Sequence, residues 1–100
     1  MSIKQPAIDS QTLLALSGLI GKICMEQNID FMKCKQMNQD PRACLDKGGK
    51  VVSCVLMVMQ TAEKKAASEL KDLTRCLKVT SNDFIKCRHL KRAMEEAFNE

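Results

Sequence analysis

The chain has 100 residues, 45% of them apolar and 28% charged, and its aromatics are limited to Phe31, Phe84 and Phe98. That length excludes large catalytic folds such as a complete β/α barrel, and it limits the apolar surface that a core can bury without staples. The formal charge is +4, and the basic residues are spread from Lys4 to Arg92, with the densest group at Lys86, Arg88, Lys91 and Arg92. This reads as a solvated basic face, not the concentrated patch with a binding motif expected of a nucleic-acid surface. An acidic protein or anionic lipid headgroups remain as partners for residues 86–92.

Residues 1–19 read as an N-terminal extension without a motif. Pro6 and Asp9 interrupt its start and Ser17-Gly18 break Leu13–Ile20, unlike a secretory signal; no Arg precedes Arg42, unlike a mitochondrial presequence. Any destination outside the cytosol is therefore expected to be reached by another route. The first helix is predicted from about Thr12 to Gln36, with an apolar stripe of Leu13, Leu16, Ile20, Ile23, Cys24, Phe31 and Cys34 and a polar gap at Gln27. Residues 36–41 read as a turn, in which Asp40 caps the next helix and Pro41 takes its first position.

The second helix is predicted from Pro41 to about Gln60, with Cys44, Val51, Cys54, Val55 and Val58 inward. Gly48-Gly49 inside it costs about 2 kcal/mol against two alanines, which implies a close helix approach or a kink. The apolar run Val51–Met59 is half the length of a membrane span, so no transmembrane helix is expected. Ala66, Leu70, Leu73, Cys76 and Leu77 form a third stripe. Thr80-Ser81-Asn82-Asp83 breaks it, with Thr80 and Asp83 as a loose capping box. Phe84, Cys87, Leu90, Met94, Ala97 and Phe98 form the returning stripe.

The cysteines, at positions 24, 34, 44, 54, 76 and 87, connect these stripes. Zinc and iron–sulfur sites gather ligands at much closer spacing, and His89 is the single histidine, so no metal site is expected. Ten residues on a helix set two side chains about 80° and about 15 Å apart. Both sulfurs therefore look toward one partner helix from different levels. An antiparallel hairpin centred on Gln39 pairs Cys34 with Cys44 across the turn and Cys24 with Cys54 at the far end. Of the connectivities open to these cysteines, only this nested one suits a straight hairpin, since disulfide Cα atoms lie within about 7 Å.

Cys76 and Cys87 flank the second turn in the same way and are expected to pair. The outer rung of that hairpin falls on Ala66 and Phe98, where no bond is possible. Phe98 is thus the expected clasp, and residues 60–70 and 90–100 the looser end. The fold class is all-α: two disulfide-stapled antiparallel helical hairpins, at residues 20–60 and 61–100. With no Gly-rich phosphate loop and no close Cys–His motif, neither catalysis nor a cofactor is expected.

Paired Cys-x9-Cys helices resemble the coiled-coil-helix-coiled-coil-helix (CHCH) proteins of the mitochondrial intermembrane space. Cys44-Leu45-Asp46-Lys47-Gly48, Cys54-Val55-Leu56, Asn82-Asp83-Phe84 and Cys87-Arg88 narrow the resemblance, over about residues 20–98, to the double-motif accessory subunits of respiratory complex I, of the 19 kDa (PGIV) type. That pattern has two further cysteines, which would fall at Ala66 and Phe98 and pair with each other. Their joint absence leaves no orphan thiol.

The resemblance implies import without a presequence and trapping by the intermembrane-space disulfide relay. The relay would read an apolar face beside a cysteine, with Ile20 and Ile23 beside Cys24 or Phe31 beside Cys34 as candidates. It further implies a peripheral, non-catalytic subunit of the respiratory chain on the intermembrane-space face of the membrane arm, in contact with other complex I subunits. The competing expectation is a free intermembrane-space assembly factor of respiratory complexes. A secreted disulfide-rich peptide is disfavoured by the missing signal sequence.

Overall fold

Five helices and no strand make up the regular structure of residues 9–100, the part of the chain described by the computed structural model. Lys4 and Pro6, in the predicted N-terminal extension, lie outside the described residues. In chain order the helices are α1 (Ser10–Ile23), α2 (Met25–Met37), α3 (Leu45–Lys65), α4 (Ala67–Val79) and α5 (Arg88–Asn99), with a 3₁₀ turn at Pro41–Cys44 between α2 and α3. The all-α architecture anticipated from the stripes, of the CHCH type that the resemblance implies, is the one observed.

Local chemistry sets the turns. At the first, the Asp40 carboxylate accepts the Arg42 N–H at 3.0 Å, and Pro41 occupies the first position of the 3₁₀ turn. At the second, α4 ends in a Schellman arrangement: Asn82 N–H donates to the Leu77 carbonyl at 2.7 Å, with Ser81 and Asn82 at φ 57° and 68°. Thr80 Oγ1 accepts the Asp83 N–H at 3.3 Å, and Asp83 Oδ1 accepts the N–H groups of Ile85 and Lys86 at 3.0 and 3.4 Å. The cap residues read from Thr80 to Asp83 therefore end α4 and hold the turn at residues 84–87, while α5 begins only at Arg88, with Cys87 as an N-cap that makes no side-chain cap bond.

The element boundaries differ from expectation: the helix predicted to start at Pro41 begins at Leu45, after the 3₁₀ turn. The single helix expected over Thr12–Gln36 is two, separated at Cys24, whose φ of −99° and ψ of 17° leave the helical region. Hydrogen bonds from Cys24 N–H to Ile20 O and from Asn28 N–H to Cys24 O bridge the break, so the chain bends without reversing. The cause is a change of partner: α1 packs on α3 and α4, whereas α2 packs on α3 and the 3₁₀ turn. The second helix, expected to end near Gln60, continues as α3 to Lys65 and supplies buried Ala62 beyond the expected end. A similar break at Ala66, with φ −136° and ψ 37°, lets α4 leave in a new direction.

Helix α3 runs unbroken through Gly48-Gly49, and the two glycines have different surroundings. A Cβ on Gly48 would sit 3.2 Å from Phe31 Cε1, whereas one on Gly49 would meet nothing within 4 Å. The pair marks a close approach of α2 to α3, not a kink. Gly49→Ala is expected to stabilise the protein by about 1 kcal/mol, the helix-propensity difference. Gly48→Ala should gain clearly less, because the Phe31 ring must shift. Denaturant unfolding of the two variants checks this, and equal gains would contradict the close approach.

One core joins both hairpins. Ala15, Leu16 and Leu19 of α1 pack with Cys54, Val58 and Ala62 of α3, with Leu70, Leu73 and Leu77 of α4, and with Met94 and Phe98 of α5. Part of the stretch read as an extension up to residue 19 is thus core. Helix α2 contributes no buried residue. Residues 60–70 and 90–100, expected to be the looser end, hold Ala62, Ala66, Leu70, Met94 and Phe98 in the core instead. Burial and stapling run opposite to each other: the hairpin with two rungs is thinly packed at its turn, and the hairpin with one rung is well packed.

Candidate functional site

The cysteines are placed by the helix ends. Cys24 sits at the α1–α2 break and Cys54 in the middle of α3, with Cα atoms 5.8 Å apart and both residues buried. Cys34, in the last turn of α2, meets Cys44 at the end of the 3₁₀ turn with a Cα separation of 5.9 Å. Cys76, in the last turn of α4, meets Cys87 just before α5 at 6.0 Å. All three separations lie within the range a disulfide spans, and no free cysteine remains among the described residues.

Disulfide sulfurs are neither thiolate nucleophiles nor good metal ligands. Among the described residues, no group of three or more His, Cys, Asp or Glu side chains is gathered to hold a metal ion. The rungs are mechanical: they hold helix pairs in register. Ala66 and Phe98, at the level where a fourth rung would stand, lie in the common core with 0% and 8% exposure.

The side chains named as relay candidates are not equally accessible. Ile23 is exposed, Ile20 is half-buried against the core, and Phe31 is half-buried beside Gly48 with Lys35 Nζ 5.1 Å from its ring centroid. The arrangement can hold a partner through an apolar surface that the stripe analysis did not identify. Helix α2 exposes Met25, Ile29, Met32 and Met37, and α3 exposes Leu45 and Val52. Of these, Leu45 and Val52 line a cleft of about 690 Å³ between α2 and α3, whose other walls include Phe31, Lys35, Pro41 and Gly48.

Isolated exposed apolar side chains are normal, but exposed Leu45 and Val52 sharing one cleft with Phe31 make a candidate interaction surface. The signal was present in the sequence: α2 carries apolar residues on more faces than one antiparallel neighbour can cover. Among the described residues, no helix is long and apolar enough to cross a membrane.

No protein-family model matches the chain. Individual proteins do. It is 36% identical to NADH dehydrogenase (ubiquinone) 1 alpha subcomplex subunit 8-B of Arabidopsis thaliana over 91 residues, covering 91% of this chain and 86% of that protein. It is 33% identical to subunit 8-A of the same organism over 91 residues, covering 84% of that protein. Similarity to the NADH-ubiquinone oxidoreductase 20.8 kDa subunit of Neurospora crassa is 28% over 88 residues, which is 86% of this chain and 48% of that longer one. Since the match to the plant proteins spans 91% of this chain and more than four-fifths of each of theirs, at 36% and 33% identity, the chain belongs to the family of subunit 8 of the NADH dehydrogenase (ubiquinone) 1 alpha subcomplex.

Proposed function

We propose that this chain is a non-catalytic accessory subunit of mitochondrial NADH:ubiquinone oxidoreductase, of the 19 kDa (PGIV) type, held peripherally on the intermembrane-space face of the membrane arm. The observation that carries the reading is similarity along 91% of the chain to two proteins named as subunits of that complex. The cysteine chemistry supports the compartment. Three structural disulfides in a small chain belong where oxidation persists, and the disulfide relay would install them after import.

In this reading Cys24–Cys54, Cys34–Cys44 and Cys76–Cys87 are the connectivity of the mature subunit. Residues 1–19 lead into the first stapled hairpin at 20–60, and 61–100 form the second. The electron-transfer chemistry belongs to other subunits. This one contributes a rigid helical surface, and the uncovered face of α2 and α3 is where a neighbouring subunit packs.

Complexome profiling of mitochondria tests the assignment. The chain is expected to co-migrate with the NADH dehydrogenase subunits in constant ratio. Migration only at low mass, apart from complex I, would replace the subunit reading with a free intermembrane-space assembly factor. Non-reducing peptide mapping of the mature protein is expected to return the three named pairs, and a peptide joining Cys54 to Cys76 would overturn that connectivity.

A further inference from the structure

The net positive charge of this protein is local, although its basic residues are spread along the chain. Residues 71–92 contain seven Lys and Arg and two Asp, a net +5 against +4 for the whole chain, so the remaining residues sum to −1. These residues are the last part of α4, the second turn and the start of α5. Lys71, Arg75, Lys78, Lys86, Arg88 and Arg92 are exposed, and none forms an ion pair among the described residues; Lys91 does, with Glu95 at 2.9 Å. Of the two acids, Asp83 is engaged by the N–H groups of Ile85 and Lys86, which leaves Asp72.

The tip of the turn is apolar. Val79 is 80% exposed and Ile85 76% exposed, each next to a lysine, Lys78 and Lys86. The Cys76–Cys87 link, with Cα atoms 6.0 Å apart, closes residues 77–86 into one small loop, so these four side chains belong to a single end of the molecule. Two bare aliphatic side chains ringed by cations on long flexible stems are the arrangement of an interfacial anchor. The aliphatic groups enter the acyl boundary while the cations stay at headgroup level.

From this geometry we infer that the α4–α5 tip docks on an anionic phospholipid surface. An acidic protein surface would share the charge chemistry, but area decides between them. Two aliphatic side chains supply a small part of the roughly 800 Å² per partner that a stable protein interface needs. Peripheral lipid binding instead sums weak terms, one for each cation near the surface and one for each inserted side chain. The apolar cleft suited to a protein partner lies at the other hairpin, lined by α2 and α3. The inference extends the peripheral placement proposed above, but vesicle binding and co-migration with complex I are separate measurements, and either can fail alone.

Flotation of the oxidised full-length chain with lipid vesicles tests it. Binding is expected to vesicles of phosphatidylcholine containing about 30% phosphatidylglycerol, and not to phosphatidylcholine alone. It should weaken as salt rises from about 0.05 M to about 0.5 M. Lys78→Gln with Lys86→Gln should lower partitioning by roughly tenfold to thirtyfold, and Val79→Ser with Ile85→Ser should lower it as well. All four residues are exposed, so unchanged circular dichroism is expected.

Lys47→Gln with Lys50→Gln, on the first hairpin, should leave binding as it is. No flotation with the anionic vesicles, or an equal loss from the Lys47 and Lys50 changes, would overturn the inference. So would lysine–carboxylate crosslinks, in assembled complex I, that join Lys78 and Lys86 to a neighbouring subunit: these would assign the tip to an acidic protein.

Discussion

Phe98→Ala is expected to destabilise the oxidised protein by about 3–5 kcal/mol, the usual range for truncating a buried phenylalanine. That is a large part of the stability of a small domain. Phe98 is 8% exposed in the last turn of α5. Met94 is the other buried side chain of that helix, so a single truncation removes much of the apolar surface that holds α5. The Cys76–Cys87 rung lies at the opposite end of α5 and does not hold this end down.

Denaturant unfolding under non-reducing conditions measures the loss, and a loss below about 1 kcal/mol would remove Phe98 as the clasp. Amide exchange supplies the spatial pattern. In the unmodified protein the outer part of α2 is expected to exchange faster than α4 and α5, because α2 buries no side chain and local opening follows poor packing. That order reverses the one implied by counting rungs. Phe98→Ala should raise exchange along α5 and leave the first hairpin as it was.

Removing the Cys24–Cys54 bond through paired alanine substitutions is expected to cost somewhat under 4 kcal/mol, against about 2.7 kcal/mol for the Cys34–Cys44 pair, from loop-closure entropy alone. The sequence separations of 30 and 10 residues set the order. Position widens the gap. Cys24 and Cys54 are buried at the α1–α2 break, so their bond aligns α1 with the shared core, whereas Cys34–Cys44 closes only the thinly packed turn. Both members of a pair must be replaced, since a single substitution leaves a thiol free to pair wrongly. Thermal unfolding of the double variants gives the ranking. A Cys34–Cys44 variant as unstable as the Cys24–Cys54 variant would contradict the role assigned to the central rung.

Legibility followed the range of each interaction. The caps at Asp40 and Thr80, the stops around Pro41 and Ser81, and the close helix approach at Gly48 depend on residues within one hairpin. They could be read from residue type and spacing. The bend at Cys24, the continuation of α3 to Lys65 and the burial of Ala15 and Leu19 could not, because each depends on a helix distant in sequence. The exposed cleft between α2 and α3 escaped for a related reason. Periodicity identifies an apolar face but not what covers it.

The sequence by itself determined an all-α chain, the two turns and the levels at which the cysteines face one another, since helical rise and rotation convert spacing directly into geometry. Only the tertiary structure decided that the hairpins share one core through α1, that the singly stapled hairpin is the better packed, and that α2 is left open. Those outcomes turn on which apolar faces meet, and hydrophobic burial is non-directional. Several pairings of the same stripes would bury similar area, and the choice among them is made by the packing of all five helices at once.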